Sequence, residues 1–487
     1  MPTLYASQLL STSTTHSRYS LFRVLDGAWA AFTESLTGAG MRTLYPLAKS
    51  SILTLLGRIS SGRLTVYTSP TEPPLHFGAC DAPEALRATL TVRSDAFWMR
   101  VALFTDLGLS EAFMFGDVDC DDVSALIQIL IANRRVLTGA DADGYLASIL
   151  ARGRALTNNR FIGSLANSKA NISAHYDLGN TMCASSLFHL PPSRVISPAH
   201  LSRPASAMRF ACERWTSGPD SLAACRQFSS FLSSDMNYSS AVFLDFNQDL
   251  DKRIAPEDRE TLYDAQMRKL RLILGKANIQ PGQRLLEIAA LARERICAAG
   301  LASQITVHVM DFRQARDKPE WKGAFDRFVS VEMVEHVGKA FFEEYWAGIT
   351  IPEGRVKGYE DSVDFIQKWI FPGGYLPNVT MMINTLTQGT EGRLLIDSVL
   401  NIGPHYARTL REWKARFLAS WDGTVKKALR EAYSLDEQGL EIFKRKWIYY
   451  FDYCEAGFKT RTLGDHILTF TREGNVEFGC DVDAQRI

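Results

Sequence analysis

Apolar positions change period several times along the chain, and each change marks the passage from one element to the next. SSILTLLGRISSGRLTVY has helical spacing from Ser51 to a break at Gly62, then a strand in which Leu64 and Val66 alternate with polar residues. The block from Ala88 passes from alternation at Leu90 and Val92 to helical spacing through Phe97, Val101 and Phe104. Its acidic tail (Asp117, Asp119, Asp121, Asp122) resembles a calcium loop only superficially. The sixth position holds Asp122 and the twelfth Gln128, where such a loop needs Gly and Glu. Asp121 or Asp122 is expected instead to cap a helix starting near Val123. Leu21 to Leu36 has the spacing of an amphipathic helix, read as packed on its own protein rather than on a membrane. These patterns give an N-terminal extension, 1–46, and a small α/β module, 47–160.

The second half is patterned differently. TLYDAQMRKLRLILGKANIQPGQRLLEI sets out a long helix, a Pro-Gly turn and a short apolar strand at Leu285 to Ile288. A helix ending near Gly300 follows, then a strand ITVHVMDF closed by Asp311, then a further strand in GAFDRFVSVEMVEHVG. Polar or acidic residues at the C-terminal ends of successive strands suit a doubly wound parallel sheet, whose ligands bind outside those ends. KTRTLGDHILTFTREG is read as two strands around a Gly-Asp turn, suited to an antiparallel edge. Residues 183–227, rich in Ser, Pro and Ala without sustained periodicity, are read as a loop or disordered insertion within a domain spanning 161–487.

Composition narrows the function classes. The chain has 487 residues, enough for about two or three domains. Lys plus Arg equals Asp plus Glu at 54 each, so no overall field draws it to nucleic acid or an anionic bilayer. Eight cysteines show no paired spacing of the zinc or redox kind, and no metal site is expected. No uninterrupted apolar run reaches the roughly 18 to 20 residues of a membrane span, and the N-terminus lacks a secretory pattern. The expected location is cytoplasmic, with peripheral contact to a membrane through an apolar surface.

Six blocks then carry a family resemblance. NISAHYDLGN (171–180), DMNYSSAVF (235–243), AQMRKL (265–270), VEMVEHVG (331–338), FIQKWIFPGGYLP (365–377) and HYARTLREW (405–413) stand in the order found in cyclopropane-fatty-acyl-phospholipid and mycolic acid cyclopropane synthases, and GLSEAFMFGDVD extends the likeness into the N-terminal module. The chain resembles that family from about residue 50 onward. The resemblance implies a Rossmann-like class I methyltransferase sheet, seven-stranded in the family. It also implies a reaction, in which an S-adenosylmethionine methyl carbon is transferred to the cis double bond of an unsaturated phospholipid acyl chain. A bound bicarbonate removes the proton that allows the ring to close.

Carried over by position, Glu335 and Tyr406 match the bicarbonate site, and Ser240 stands where the family usually has cysteine. Tyr238 and Ser239 match the pair at the cofactor's amino acid end. His175, Tyr176, Gly179 and Asn180 match the motif that closes over the site, and Glu287 and Asp311 stand at strand ends facing the cofactor. A surface pair at a strand end is the alternative for Glu335 and His336, and a packed tyrosine with one partner is the alternative for Tyr406.

The departures weigh as much as the matches. Glu287 and Ile288 run into Ala289, Ala290 and Leu291, with no glycine until Gly300, whereas the family has a glycine-rich turn that lets the backbone approach the cofactor. About thirty residues, one strand with its crossover, are missing here, so the remaining sheet is expected to pair across the gap and sheet strands to be lacking. Near Ala347-Gly348-Ile349 the family strand carries a bicarbonate-holding histidine that has no counterpart. Wrongly joined coding segments or decay of a redundant copy would each give this pattern. The expectation is weak or absent cofactor binding, and a catalytically inactive lipid- or partner-binding protein is the alternative to an enzyme.

Overall fold

The computed structural model describes residues 45–79, 86–137, 230–288, 303–307, 318–331, 348–360, 362–371, 374–433 and 435–475, together with the strand Met208–Phe210. The N-terminal module packs helices α1 (Tyr45–Leu56), α2 (Ala96–Met114) and α3 (Val123–Ala132) with a sheet of β1 (Arg63–Tyr67), β2 (Leu75–Phe77), β3 (Arg87–Val92) and β4 (Val118–Cys120). Strand order is β2-β1-β3-β4, with β1 and β3 parallel and both outer pairs antiparallel. The alternating residues read from sequence, Leu64, Val66, Leu90 and Val92, are all buried. Asp122 caps α3 as expected, accepting the Ala125 N–H at 2.8 Å. The first helix differs: it starts at Tyr45 rather than Ser51 and ends at Leu56, and Gly62 takes φ +81° in the turn before β1. Helix α2 kinks at Thr105, and Gly108 beyond the kink lies so close that a Cβ would stand 1.9 Å from the Arg100 carbonyl oxygen.

Downstream, α4 (Leu262–Ala277), α5 (Val379–Gly389), α6 (Gly403–Ser420), α7 (Lys426–Tyr433) and α8 (Glu437–Lys459) accompany two sheets. The first holds β5 (Met208–Phe210), β6 (Leu285–Ile288), β7 (Ile305–Val307) and β8 (Arg327–Ser330) in the order β7-β5-β6-β8, all parallel. The second holds β9 (Gly348–Thr350), β10 (Leu394–Asn401) and β11 (Gly464–Arg472) in the order β10-β11-β9, all antiparallel. The fold class is α/β, and these two sheets hold seven described strands between them. Strand β6 and the following strand of the sequence, β7, do not pair directly. Met208–Phe210, from the segment expected to lie wholly in a loop, occupies the place between them. The anticipated terminal hairpin is instead one strand, β11, flanked on both sides. Gly464 does not turn the chain but lets strands approach, since a Cβ there would meet the His466 ring at 2.7 Å and Thr350 Oγ1 at 2.9 Å.

The N-terminal module is joined to the rest through ion pairs of Glu111, which is buried, and of Asp119, which is partly open to solvent. Glu111 accepts from Lys368 Nζ at 2.5 Å and Trp369 Nε1 at 3.2 Å, and Arg445 of α8 reaches Asp119 at 2.8 Å and the Val118 carbonyl at 2.6 Å. GLSEAFMFGDVD and FIQKWIFPGGYLP, two of the blocks read from sequence, therefore meet at this junction. No helix of the described residues is long and apolar enough to cross a membrane.

Candidate functional site

The block DMNYSSAVF forms no strand or helix. It runs as an extended thread between α4 and α6, and the other two motif helices supply what its backbone lacks. From α4, Gln266 Nε2 donates to the Ser239 carbonyl at 2.9 Å, Arg268 donates to the Val242 carbonyl at 2.8 Å, and the Ala265 carbonyl accepts the Val242 N–H at 3.2 Å. Lys269, buried, donates to Ser239 Oγ and lies 3.4 Å from Asn237 Oδ1. From α6, Thr409 Oγ1 accepts the Ala241 N–H at 3.1 Å, His405 Nδ1 accepts the Phe243 N–H at 3.2 Å, and Arg408 donates to the Asp245 carbonyl at 2.5 Å and the Glu260 carbonyl at 2.9 Å. An irregular buried segment must find such partners, because unpaired backbone groups away from water are costly. The sequence blocks 235–243, 265–270 and 405–413 are thus one structural unit.

The thread delivers Tyr238 into an aromatic cluster. Its ring stacks on Trp413 at 5.1 Å and its hydroxyl lies 3.0 Å from that of Tyr450 on α8. Tyr406 meets the same Trp413 edge-on at 5.9 Å and stacks on Phe458 at 4.5 Å. Phe371, at the end of the FIQKWIF block, adds contacts to Tyr238 and Tyr450. Tyr238, Ser239, Ser240 and Tyr406 are therefore gathered around one region, with Ser239, Ser240 and Tyr406 buried. Glu287 sits at the end of β6, paired in register with Val329 of β8; of its side chain nothing is described. Glu335, Asp311, His175, Tyr176, Gly179 and Asn180 lie outside the described residues.

Among the described residues, two buried polar atoms at the site find no hydrogen-bond partner: the acceptor Gln266 Oε1, beside Ser239, and the donor Trp413 Nε1, between Tyr238 and Tyr406. Burial without a partner costs about 1–3 kcal/mol, and ligand contact is one way to recover it. His405 is held below the usual imidazole range, first by burial and further by Arg268, while Glu260 pulls the other way. Desolvation pushes the Cys454 thiol of α8 well up, so it behaves as an apolar core group and not as a nucleophile.

Sequence reasoning passed over Trp413, Tyr450, Phe371, His405, Thr409 and Gln266 as site residues. Five of them stand inside quoted blocks, Tyr450 being the exception. Trp413 lies seven residues beyond Tyr406, two helical turns along the same face of α6, which was the available signal.

The family model described as mycolic acid cyclopropane synthetase matches residues 224–290 and 289–466, about half of the chain. The chain belongs to this family. It is 32% identical over 289 residues to the tuberculostearic acid methyltransferase UfaA1 of Mycobacterium tuberculosis, matching 51% of this chain and 62% of that one. It is 25% identical over 426 residues to the cyclopropane-fatty-acyl-phospholipid synthase of Escherichia coli, matching 79% of this chain and 88% of that one. The chain thus spans less than two thirds of the first relative and most of the second. Among solved structures, the cyclopropane synthase MmaA2 from Mycobacterium tuberculosis aligns over 50% of this chain and 93% of its own at 21% identity, with a TM-score of 0.36, too loose a superposition to carry an argument.

Proposed function

We propose that this protein transfers a methylene or methyl group from S-adenosylmethionine to the cis double bond of an unsaturated phospholipid acyl chain. The observation that carries the reading is the thread 237–245, held by two motif helices so that Tyr238 and Ser239 stand beside an orphaned acceptor and an aromatic cluster. These residues suit the amino acid end of the cofactor. Ser239 Oγ and Lys269 provide polar contact, and Gln266 Oε1 lacks the donor that an α-ammonium would supply.

When bound, S-adenosylmethionine supplies the methyl carbon. The chain's own residues orient the partners and exclude water. Tyr238, Trp413, Tyr406, Tyr450 and Phe371 form apolar walls suited to an acyl chain and to a developing cation, whose electrostatic stabilisation is greater in a dry site. Ser240 lies at the wall, fully buried, with its hydroxyl on the Ala241 carbonyl at 3.1 Å. Glu335 and Tyr406 are proposed to hold the bicarbonate that takes the proton. Peripheral contact with a membrane would deliver the lipid.

A second reading, a lipid-binding protein without catalysis, is favoured by one feature: no glycine stands between Ile288 and Gly300 to bring the backbone against the cofactor. Transfer of a labelled methyl group to vesicles of phospholipid with cis-unsaturated chains separates the two. Label in the acyl chains, abolished by Glu335→Gln, supports the enzyme; vesicle binding with no label incorporated supports the second reading.

A further inference from the structure

We propose that His405 is a positioning residue: its unprotonated Nδ1 holds the Phe243 N–H and, with Thr409 on the Ala241 N–H, keeps Tyr238, Ser239 and Ser240 in place, so that acid loosens the site. The importance of that place rests on the reading of Tyr238 and Ser239 as cofactor residues; the clamp itself does not.

The geometry follows from two periodicities. In an extended thread, alternate residues face opposite sides, and here Ala241, Phe243 and Asp245 turn polar backbone atoms to α6 while Val242 turns both of its to α4; the Ser239 carbonyl, ahead of this stretch, also accepts from α4. On α6, His405, Arg408 and Thr409 share a face one turn apart. Thr409 is itself fixed, its hydroxyl donating to the His405 carbonyl at 3.0 Å and so free to accept from Ala241. The amide of Gln266 and the hydroxyl of Thr409 do not titrate. The imidazole that receives the Phe243 N–H does: an imidazole that accepts an N–H at Nδ1 loses that bond when Nδ1 takes a proton.

The groups around the ring set when this happens. Glu260, before α4, favours protonation, and Arg268 of α4 opposes it. From the thread's continuation, the Phe246 ring meets the imidazole edge-on at 5.6 Å, the Asp245 carboxylate accepts the Asn247 N–H at 2.8 Å, and Asp249 is paired with Arg408 and Arg411. On α6, Arg408 is committed to backbone carbonyls and Glu412 stands 3.7 Å from it. Burial is the largest influence, so the ring stays neutral until the solution is more acid than an exposed histidine requires.

The test is amide exchange of the full chain at Ala241 and Phe243 from neutral to acid pH, corrected for intrinsic rates, alongside calorimetric titration with S-adenosylmethionine. In the wild type, Phe243 protection is expected to fall about tenfold per pH unit once His405 titrates. His405→Asn, which keeps an acceptor near Nδ1 and cannot titrate, should give a flat profile, and His405→Leu low protection at every pH. Thr409→Val should expose Ala241 without pH dependence, and Thr409→Ser should restore it. Cofactor affinity should drop about tenfold in His405→Leu and Thr409→Val. Equal protection of Phe243 in wild type, His405→Asn and His405→Leu would overturn the proposal, as would full folding of His405→Leu with unchanged cofactor affinity. The predicted exchange pattern in a chain that binds no cofactor would uphold the clamp and remove the functional reading instead.

Discussion

The N-terminal sheet and the two later sheets are built from short strands and differ in how regularly their described residues are buried. In β1 and β3 every second residue is sealed against α1, α2 and α3. In β8, Phe328 is 46% exposed, and in the neighbouring antiparallel sheet Leu395 of β10 is 50% exposed, with Ile396, Val399 and Leu400 also open. The helical side of the methyltransferase half is like the N-terminal module: Trp413, Phe417, Phe443, Phe451 and Phe458 are all buried, and α8 carries the junction between module and body. Packing is therefore densest around the aromatic cluster and the thread 237–245.

The sharpest way to break the comparison is to remove one ring from each side. Trp413→Ala should cost about 3–5 kcal/mol by opening a cavity between Tyr238 and Tyr406, seen in the denaturant midpoint. Lys446→Met should do the reverse. Lys446 of α8 is 1% exposed, has no ion-pair partner among the described residues, and its ammonium is pushed down to about 8 by burial. The folded chain then gives up this proton near pH 8 and the unfolded chain near 10.5, so wild-type stability should rise with pH across that window. At neutral pH the substitution should stabilise by up to about 3 kcal/mol, and the gain should shrink toward zero above the window. Asp122→Ala should cost about 1 kcal/mol through loss of the α3 cap, read in the same unfolding curve. Phe328→Ser, on the exposed sheet, should change stability by no more than about 0.5 kcal/mol; a large loss there would show that the parallel sheet is as well packed as the module.

Much of this was legible in the sequence. The alternation at Leu64, Val66, Leu90 and Val92 placed the module's strands, and Thr261, capping α4 through the Asp264 N–H at 3.2 Å, begins the helix that periodicity placed before the Pro-Gly turn. The blocks gave Tyr238, Ser239, Ser240 and Tyr406 a common region, as the structure does. What the sequence did not disclose is how the blocks act on each other. Period and motif name residues one segment at a time, whereas the hydrogen bonds of His405 and Thr409 join positions more than 160 apart in the chain. The strand Met208–Phe210 was hidden for a related reason: three residues in a Ser/Pro-rich segment have no period of their own, and their partners are in β6 and β7. The Gly464-Asp465 pair misled because Gly serves close strand approach as well as turns.

The central claim is that the clamped thread still forms a cofactor site despite the absent glycine turn. Calorimetric titration of the full-length folded chain with S-adenosylmethionine tests it most directly. The account predicts saturable binding at the weak end of the micromolar range, lost in Ser239→Ala combined with Gln266→Leu. No heat of binding at any accessible cofactor concentration, in a chain that unfolds cooperatively, would contradict it and leave lipid binding without catalysis as the function of this fold.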